Sequence, residues 1–202
     1  MLLGFLIVPF MLGCAGANAI YKYGSTDKYE KNMKRLFEME DIAWVYLAAV
    51  IFSRCVTFVN IYPMAFKDKI MRMKSGNLRA NMYFYKMIGE KAPNNAMVLE
   101  DEGDVGAYNR ANRSLHHMIE NFGANIVCLP LGGAVFPFPM FVLACTWALG
   151  RMMHQIGYTT GYGSHGVGFL FSGMIATPIA EGLCMLVALK GFGVAIPGSL
   201  PP

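Results

Sequence analysis

Four residues that could bind a charged ligand recur along a short stretch in the middle of the chain. Arg110, Arg113, His117 and Glu120 are spaced three, four and three residues apart, so on an α-helix they share one face. Guanidinium groups pair with carboxylates in bidentate fashion, and a glutamate can take an ammonium group. The stretch therefore predicts a site for a small zwitterionic ligand. The alternative is that both arginines extend to the edge of a bilayer, with Glu120 as an internal partner.

A second set of polar side chains follows further along the chain. Arg151, His154, Gln155 and Tyr158 also share one face at helical spacing. The Arg151 guanidinium could bind an anion, and His154 and Tyr158 could donate hydrogen bonds. The alternative interpretation is a polar helix end with an aromatic residue at the membrane interface.

Three further titratable residues lie inside or beside apolar stretches. His165 is in a flexible break formed by Gly161, Gly163, Gly166 and Gly168, where an imidazole could titrate near neutral pH or simply be solvated. Arg54 and Glu181 each lie near the middle of an apolar run. Because a buried charge without a partner is costly, we expect each to be paired, with one another or with Glu120 and Arg113. A structural ion pair is favoured there over a catalytic one.

Long apolar segments must carry these side chains. Hydrophobic residues make up 55% of the 202 residues and charged residues 15%, where a soluble domain carries about 25% charged residues. The apolar residues collect in runs at about 2–20, 42–66, 107–133, 136–159 and 167–192, and a membrane-crossing helix needs about 20 residues. Their apolarity is continuous and does not alternate as in barrel strands. We therefore predict an all-α integral membrane protein, a four-helix bundle with an additional N-terminal transmembrane helix.

The N-terminal run stands apart from the other four. It ends in Ala17-Asn18-Ala19, which is similar to a signal-peptidase site, but it lacks the positive start of a secretory signal. We predict a retained helix with a possible kink at Pro9, and a short amphipathic or re-entrant anchor is the alternative. The predicted units are an N-terminal helix with a polar connector (1–41), a four-helix membrane domain with an extramembrane loop at 67–106 (42–192), and a proline-rich tail (193–202).

Charge and cysteine usage argue against several functions. The net charge is +4, and there is no basic stripe with interleaved aromatic residues, which argues against nucleic-acid binding. The five cysteines lie inside apolar runs without a CxxC pair, so we expect buried thiols and neither a disulfide framework nor a zinc site. These residues are Cys14, Cys55, Cys128, Cys145 and Cys184.

Together, the two polar stretches resemble the MAPEG family, the membrane-associated proteins in eicosanoid and glutathione metabolism. The family pattern at the start of its second helix is roughly ERxxRAxxNxxE, and the corresponding residues here are Asn109, Arg110, Arg113, Ser114, His117 and Glu120. The two arginines and the final glutamate match, and the other three positions differ. Gly150, Arg151, His154 and Tyr158 resemble the family's GRxxHxxxY segment, most closely in its prostaglandin E synthase branch. The resemblance covers about residues 42–192 and leaves the N-terminal helix unexplained.

This resemblance implies a homotrimer of four-helix subunits with glutathione bound between neighbouring subunits. It implies that the residues around glutathione are Arg113, His117, Glu120, Arg151, His154 and Tyr158. Enzymes of the family lower the pKa of the glutathione thiol with an arginine at the start of the last helix, because the thiolate is the nucleophile. Here no arginine or lysine occurs at 152–189. His165 and Tyr158 are therefore the candidate catalytic residues, although a neutral imidazole stabilises a thiolate less than a guanidinium does.

Two functions remain open on this basis. One is a glutathione-dependent transferase, peroxidase or isomerase that acts on a lipophilic small molecule entering from the lipid bilayer. The other is a non-catalytic accessory or structural subunit of a larger membrane complex. The expected location is the endoplasmic reticulum or an organellar membrane, mitochondrial or plastid. A channel or transporter is set aside, because the sequence has neither inverted repeats nor a polar path.

Overall fold

The computed structural model describes residues 2–71, 82–89, 96–161 and 164–194. Most of these residues are helical, as predicted. The helices are α1 (Leu2–Tyr23), α2 (Thr26–Leu36), α3 (Ala43–Met71), α4 (Gly103–Asn121), α5 (Gly123–Gly133), α6 (Pro137–Thr160), α7 (Ser164–Phe169), a π-helical segment (Leu170–Ala176) and α8 (Thr177–Gly191). Two short strands, β1 (Tyr85–Ile88) and β2 (Ala96–Leu99), lie between α3 and α4. The predicted proline-rich tail lies outside the described residues beyond Val194.

Within the described residues, two helical stretches are long and apolar enough to cross a membrane. They are Ala43–Met71 and His165–Gly191, the second being the continuous run of α7, the π-helical segment and α8. At 1.5 Å per residue each exceeds the hydrocarbon thickness of about 30 Å. Only 17% of the apolar window in each is buried, so most of these side chains face outward. Both stretches match predicted runs and agree with the predicted membrane association.

Helix α6 lies at the centre of the described helices and packs against α3, α4, α5, α7 and the π-helical segment. It starts at Pro137, where a proline is tolerated because the first-turn N–H groups have no helical acceptor. It ends at Thr160 and is capped by Gly161, whose φ of 78° is the left-handed conformation that favours glycine at a helix end. Its buried face therefore organises the neighbouring helices.

The apolar core joins α3, α4, α6 and the π-helical segment. Trp147 of α6 stacks on Phe52 of α3, with ring centroids 4.5 Å apart. The buried core residues are Cys55, Val59, Leu115, Met118, Trp147, Ala148 and Ala176. Of the cysteines expected to be buried, Cys55 is buried and Cys14 is exposed, since α1 has few neighbours, while the other three are partly buried.

Helix α1 is exposed along nearly all of its length and packs against α3. The Arg54 guanidinium donates a hydrogen bond to the Leu6 carbonyl at 3.2 Å and lies over the Phe10 ring, 5.2 Å from its centroid. Arg54 is thus held within the protein, as predicted, but by α1. The expected partner Glu181 is exposed on α8 and has no hydrogen bond or ion pair within the described part of the chain. Arg54 and Glu181 therefore pair neither with each other nor with Arg113 and Glu120, which pair together, so the predicted partners are wrong.

The predicted loop at 67–106 is not entirely irregular, because β1 and β2 form an antiparallel hairpin within it. Tyr85 pairs with Leu99 and Met87 with Met97. At its base Lys86 forms ion pairs with Glu100, at 3.3 Å, and with Asp101. The lysine lowers the pKa of the exposed Asp101 carboxyl below its usual range. This contribution to hairpin stability is therefore present at neutral pH and is lost as the pH falls through the lowered pKa.

A buried asparagine attaches this hairpin to α4. The Asn109 side chain is 3% exposed and accepts a hydrogen bond from the Phe84 N–H at 3.0 Å. Its amide donates to the Phe84 carbonyl at 2.7 Å and to the Glu100 carbonyl at 2.8 Å. Asn109, which stands where the family pattern has a glutamate, therefore fastens both ends of the hairpin to the helix.

We expect Asn109→Ala to release the hairpin while the helices stay folded. Three hydrogen bonds are lost, each worth about 1 kcal/mol, so the local opening free energy should fall by about 2–3 kcal/mol. Hydrogen–deuterium exchange at residues 83–88 and 96–100 measures this directly. Asn60→Ala, at an exposed position of α3, is the matched control and should leave the exchange unchanged. Equal exchange in the two variants would show that Asn109 does not hold the hairpin.

Candidate functional site

An ion pair occupies the face of α4 predicted to bind a ligand. Arg113 Nη1 lies 2.9 Å from Glu120 Oε1, and the two side chains are 46% and 53% exposed. Arg110 does not join them, although its spacing predicts the same face. Its Nε donates to the Thr159 carbonyl at 3.1 Å and its Nη1 to the Asp101 carbonyl at 2.6 Å. Arg110 therefore fastens the end of α6 to the hairpin.

Arg151 brings a buried positive charge to the same end of the helices. It is 3% exposed, and it forms no ion pair with a carboxylate in the described part of the chain. Its Nη2 donates to the Ser114 carbonyl at 3.2 Å, and its Nη1 lies 3.3 Å from His117 Nδ1, which can accept a hydrogen bond from it. Its Nε has no hydrogen-bond partner among the described residues. A buried cation without a carboxylate partner is costly, so this position suits an anionic ligand group.

Aromatic and imidazole rings continue the site from Arg151 towards α7. The ring centroids of His117 and His154 are 5.2 Å apart, and those of His154 and Tyr158 are 5.8 Å apart. Tyr158 meets His165 edge to face at 5.5 Å. His154 Nδ1 also donates to the backbone oxygen of His165 at 2.9 Å. The structure therefore brings the two candidate catalytic residues, Tyr158 and His165, into contact with each other.

Two glycines allow α6 and α7 to approach closely enough for these contacts. A Cβ built on Gly150 would lie 2.7 Å from the Gly168 oxygen and 2.7 Å from the Ser172 nitrogen. A Cβ on Gly168 would lie 2.5 Å from the Gly150 oxygen and 2.8 Å from His154 Cα. Real Cβ contacts do not reach such distances, so only glycine fits at either position. The glycine-rich stretch was predicted to be a flexible break. For Gly168 that is wrong, because it lies in α7 and packs against α6.

The π-helical segment follows this contact directly. Ser172 Oγ donates to the Gly168 carbonyl at 2.9 Å, and Thr177 Oγ1 donates to the Ser172 carbonyl at 2.9 Å. Each hydroxyl group thus bonds a carbonyl about one turn earlier in the chain, four residues before Ser172 and five residues before Thr177. Such segments often occur at functional sites, and this one begins one residue after Phe169, whose ring lies 5.4 Å from His117.

Sequence reasoning missed one residue near the site. Tyr83, just before β1, forms a hydrogen bond with His116 Nδ1, and the two rings lie 5.3 Å apart. Burial raises the pKa of the Tyr83 hydroxyl above its usual value, while the Arg113 charge lowers it and the Glu120 charge raises it. The signal was present in the aromatic triplet Tyr83-Phe84-Tyr85, but the contact depends on the Asn109 attachment, which no local pattern predicts.

The arrangement combines cationic side chains with a wall of aromatic and imidazole rings. Within the described residues, no three His, Cys, Asp or Glu side chains are placed to hold a metal ion together. Arg113 and Arg151 could receive carboxylates, Glu120 could receive an ammonium group, and Tyr158 could donate to a sulfur or oxygen atom. Charged side chains of both signs therefore lie near the contacting rings of Tyr158 and His165.

The sequence matches no protein-family model and no curated protein, and the chain matches no solved structure.

Proposed function

We propose that the chain is a MAPEG-like membrane protein that binds glutathione. In this proposal α3, α4 with α5, α6, and the run from α7 to α8 form a four-helix membrane bundle, and α1 is an additional transmembrane helix. Glutathione has two carboxylates, an ammonium group and a thiol. The residues proposed to surround it are Arg113, His117, Glu120, Arg151, His154 and Tyr158.

One observation supports the proposal above the others. Residues from α4 and α6 that are far apart in sequence contact one another at one end of the helices, with Arg151 Nη1 3.3 Å from His117 Nδ1 and the His117 and His154 rings 5.2 Å apart. Beside them, the exposed Arg113–Glu120 pair presents two opposite charges. A neighbouring subunit of a homotrimer would cover this pair and complete a site between subunits.

The proposed activity is that of a glutathione-dependent transferase, peroxidase or isomerase acting on a lipophilic small molecule. The thiolate of bound glutathione would attack the electrophilic atom of the lipophilic substrate near Tyr158 and His165, whose rings are 5.5 Å apart. The bilayer supplies a lipophilic second substrate, and α6 and α8 expose apolar side chains such as Leu149 and Met185 on the outer surface. The endoplasmic reticulum or an organellar membrane remains the proposed location.

A non-catalytic accessory subunit is the second candidate, and a specific feature favours it. The stretch 152–189 carries no arginine or lysine to activate a thiol, and α1 offers a long exposed apolar surface to another membrane subunit. Native mass spectrometry of the protein extracted from its membrane separates the two candidates. Three copies of this chain favour the enzyme, and one copy among unrelated subunits favours the accessory role.

We expect Arg113→Ala to weaken glutathione binding about 10- to 100-fold. A charge-assisted hydrogen bond contributes about 1.5–3 kcal/mol, which corresponds to that change in Kd. The fold should tolerate the change, because exposed ion pairs contribute only about 0–1 kcal/mol. Calorimetry on the detergent-solubilised protein measures the Kd.

Arg35→Ala is the control, since it removes an exposed arginine from α2, outside the site. It should leave the Kd unchanged. If both variants bind glutathione as the wild type does, Arg113 does not contact the ligand, and the proposed site is wrong.

A further inference from the structure

Helix α2 is amphipathic, with bases on one side and apolar residues on the other. Positions three, four and seven residues apart share a helix face. By that spacing one side carries Lys28, Lys31 and Arg35, and the opposite side carries Tyr29, Met33 and Leu36. The helix contains four basic residues and two acidic ones, so its net charge is positive. A basic polar side opposite an apolar side is typical of helices that lie on a membrane surface.

The preceding helix, α1, is suited to a lipid environment. Helix α1 has 22 residues, mostly apolar and exposed, which in water would be unfavourable but in lipid is expected. Only Gly24 and Ser25 separate it from α2, and Thr26 Oγ1 donates to the Tyr21 carbonyl across this turn at 2.7 Å. Tyr21 and Tyr23 at the end of α1 suit the membrane interface.

The bend between the two helices forms an open cleft. Its volume is about 640 Å³, and its walls combine Lys31 and Lys34 with the apolar Met33 and Phe37. Phe37 is 59% exposed, and no residue of α2 is buried. On the α1 side the Tyr21 hydroxyl bonds to Glu30, so this carboxylate is engaged beside the lysines. The cleft thus offers cations for a phosphate and an apolar wall for the first part of an acyl chain.

We infer that α2 is an interfacial helix and that its junction with α1 binds the headgroups of anionic phospholipids. The four bases face the headgroup phosphates, and Met33, Leu36 and Phe37 enter the boundary of the acyl chains. This site lies at the α1–α2 end, and it requires neither glutathione nor catalysis. Binding to a lipid surface would account both for the amphipathic pattern of α2 and for its exposed apolar residues.

Hydrogen–deuterium exchange on the full chain in lipid nanodiscs tests the inference. We expect the α2 amides to exchange at least about fivefold more slowly in discs enriched in phosphatidylserine than in discs of phosphatidylcholine alone, since each base near an anionic surface contributes about that factor. The difference should disappear at about 1 M salt, where charges are screened beyond about 3 Å. It should also disappear in the quadruple variant Lys28→Gln, Lys31→Gln, Lys34→Gln and Arg35→Gln.

Two further measurements complete the test: a variant that makes α2 more positive, and the addition of a soluble anion. Asp27→Asn raises the net charge of α2 and should slow its exchange further in the anionic discs. Equal exchange of α2 in the two kinds of disc would overturn the inference. Slow exchange produced by inorganic phosphate in phosphatidylcholine discs would also overturn it, because α2 would then be a site for a free anion and not for a lipid surface.

Discussion

Gly168→Ala should destabilise the protein by about 3 kcal/mol and should disrupt the candidate site. A Cβ there would lie 2.5 Å from the Gly150 oxygen and 2.8 Å from His154 Cα. Overpacking a core costs about 1–3 kcal/mol, and here the clashing atoms are backbone, which cannot rotate away. Helices α6 and α7 must therefore separate, and the contact of His154 with the His165 carbonyl should be lost. Thermal unfolding in detergent, followed by circular dichroism, measures the effect.

The neighbouring Gly166 supplies the matched control. A Cβ on Gly166 has nothing within 4 Å, and replacing a helical glycine with alanine usually stabilises a helix by up to about 1 kcal/mol. Gly166→Ala should therefore be neutral or stabilising, whereas Gly150→Ala should resemble Gly168→Ala because it meets the same backbone from the other side. Equal unfolding temperatures for the variants at 166 and 168 would contradict the close packing of α6 against α7.

The helices, and the residues that share a face of α4 or of α6, were predictable because they depend on residues close together in the sequence. Pro137 at the start of α6 and Gly161 at its end act within one turn of the chain. The spacing of Arg113 and Glu120 places them one above the other on any α-helix, and they form an ion pair at 2.9 Å. Such features need no knowledge of the neighbouring helices.

The remaining features depend on contacts between distant segments. Gly168 in sequence suggests flexibility, and only the approach of α6 makes it a packing residue. Asn109 looked like a departure from a ligand-binding pattern, yet its partners are backbone groups of the hairpin. Arg54 was expected to meet a carboxylate and instead meets a backbone carbonyl of α1. A partner that is a backbone group leaves no signal in the sequence, so these contacts could not be predicted.

Helix α2 was overlooked for a different reason. The stretch 21–41 was predicted to be a polar connector because it is polar and mixed in charge, but the order of its residues separates bases from apolar side chains at helical spacing. The amino-acid composition of a segment does not record the order of its residues, so it cannot reveal an amphipathic helix. The amphipathic pattern would have identified the helix, although its position beside α1 would have remained unknown.

Replacing His165 with arginine should raise glutathione conjugation at neutral pH by about tenfold or more. A free thiol with a pKa near 8.5 is only a few per cent ionised at pH 7, and an opposite charge within about 4–6 Å shifts a pKa by roughly 1–3 units. His165 lies at the start of α7, beside Tyr158, where the resemblance implies an activating arginine. We expect the wild type to be weak or silent, with any residual activity dependent on His165 or Tyr158 and therefore lost in His165→Gln or in Tyr158→Phe.

The pH dependence of the conjugation rate shows whether His165→Arg gains activity by ionising the thiol or for another reason. If arginine acts by lowering the pKa of bound glutathione, the advantage of His165→Arg over the wild type should shrink as the pH rises past about 8.5, because the thiol then ionises without help. His165→Gln, which removes the imidazole and adds no charge, should not gain activity at any pH. A conjugation assay with an aryl halide, together with the ultraviolet absorbance of the bound thiolate, provides both measurements.

A wild type that already turns over at roughly 1–10³ per second, with no gain from arginine, would show that another group activates the thiol. A silent wild type with an active His165→Arg variant would mean that the chain kept the glutathione pocket without the activating cation.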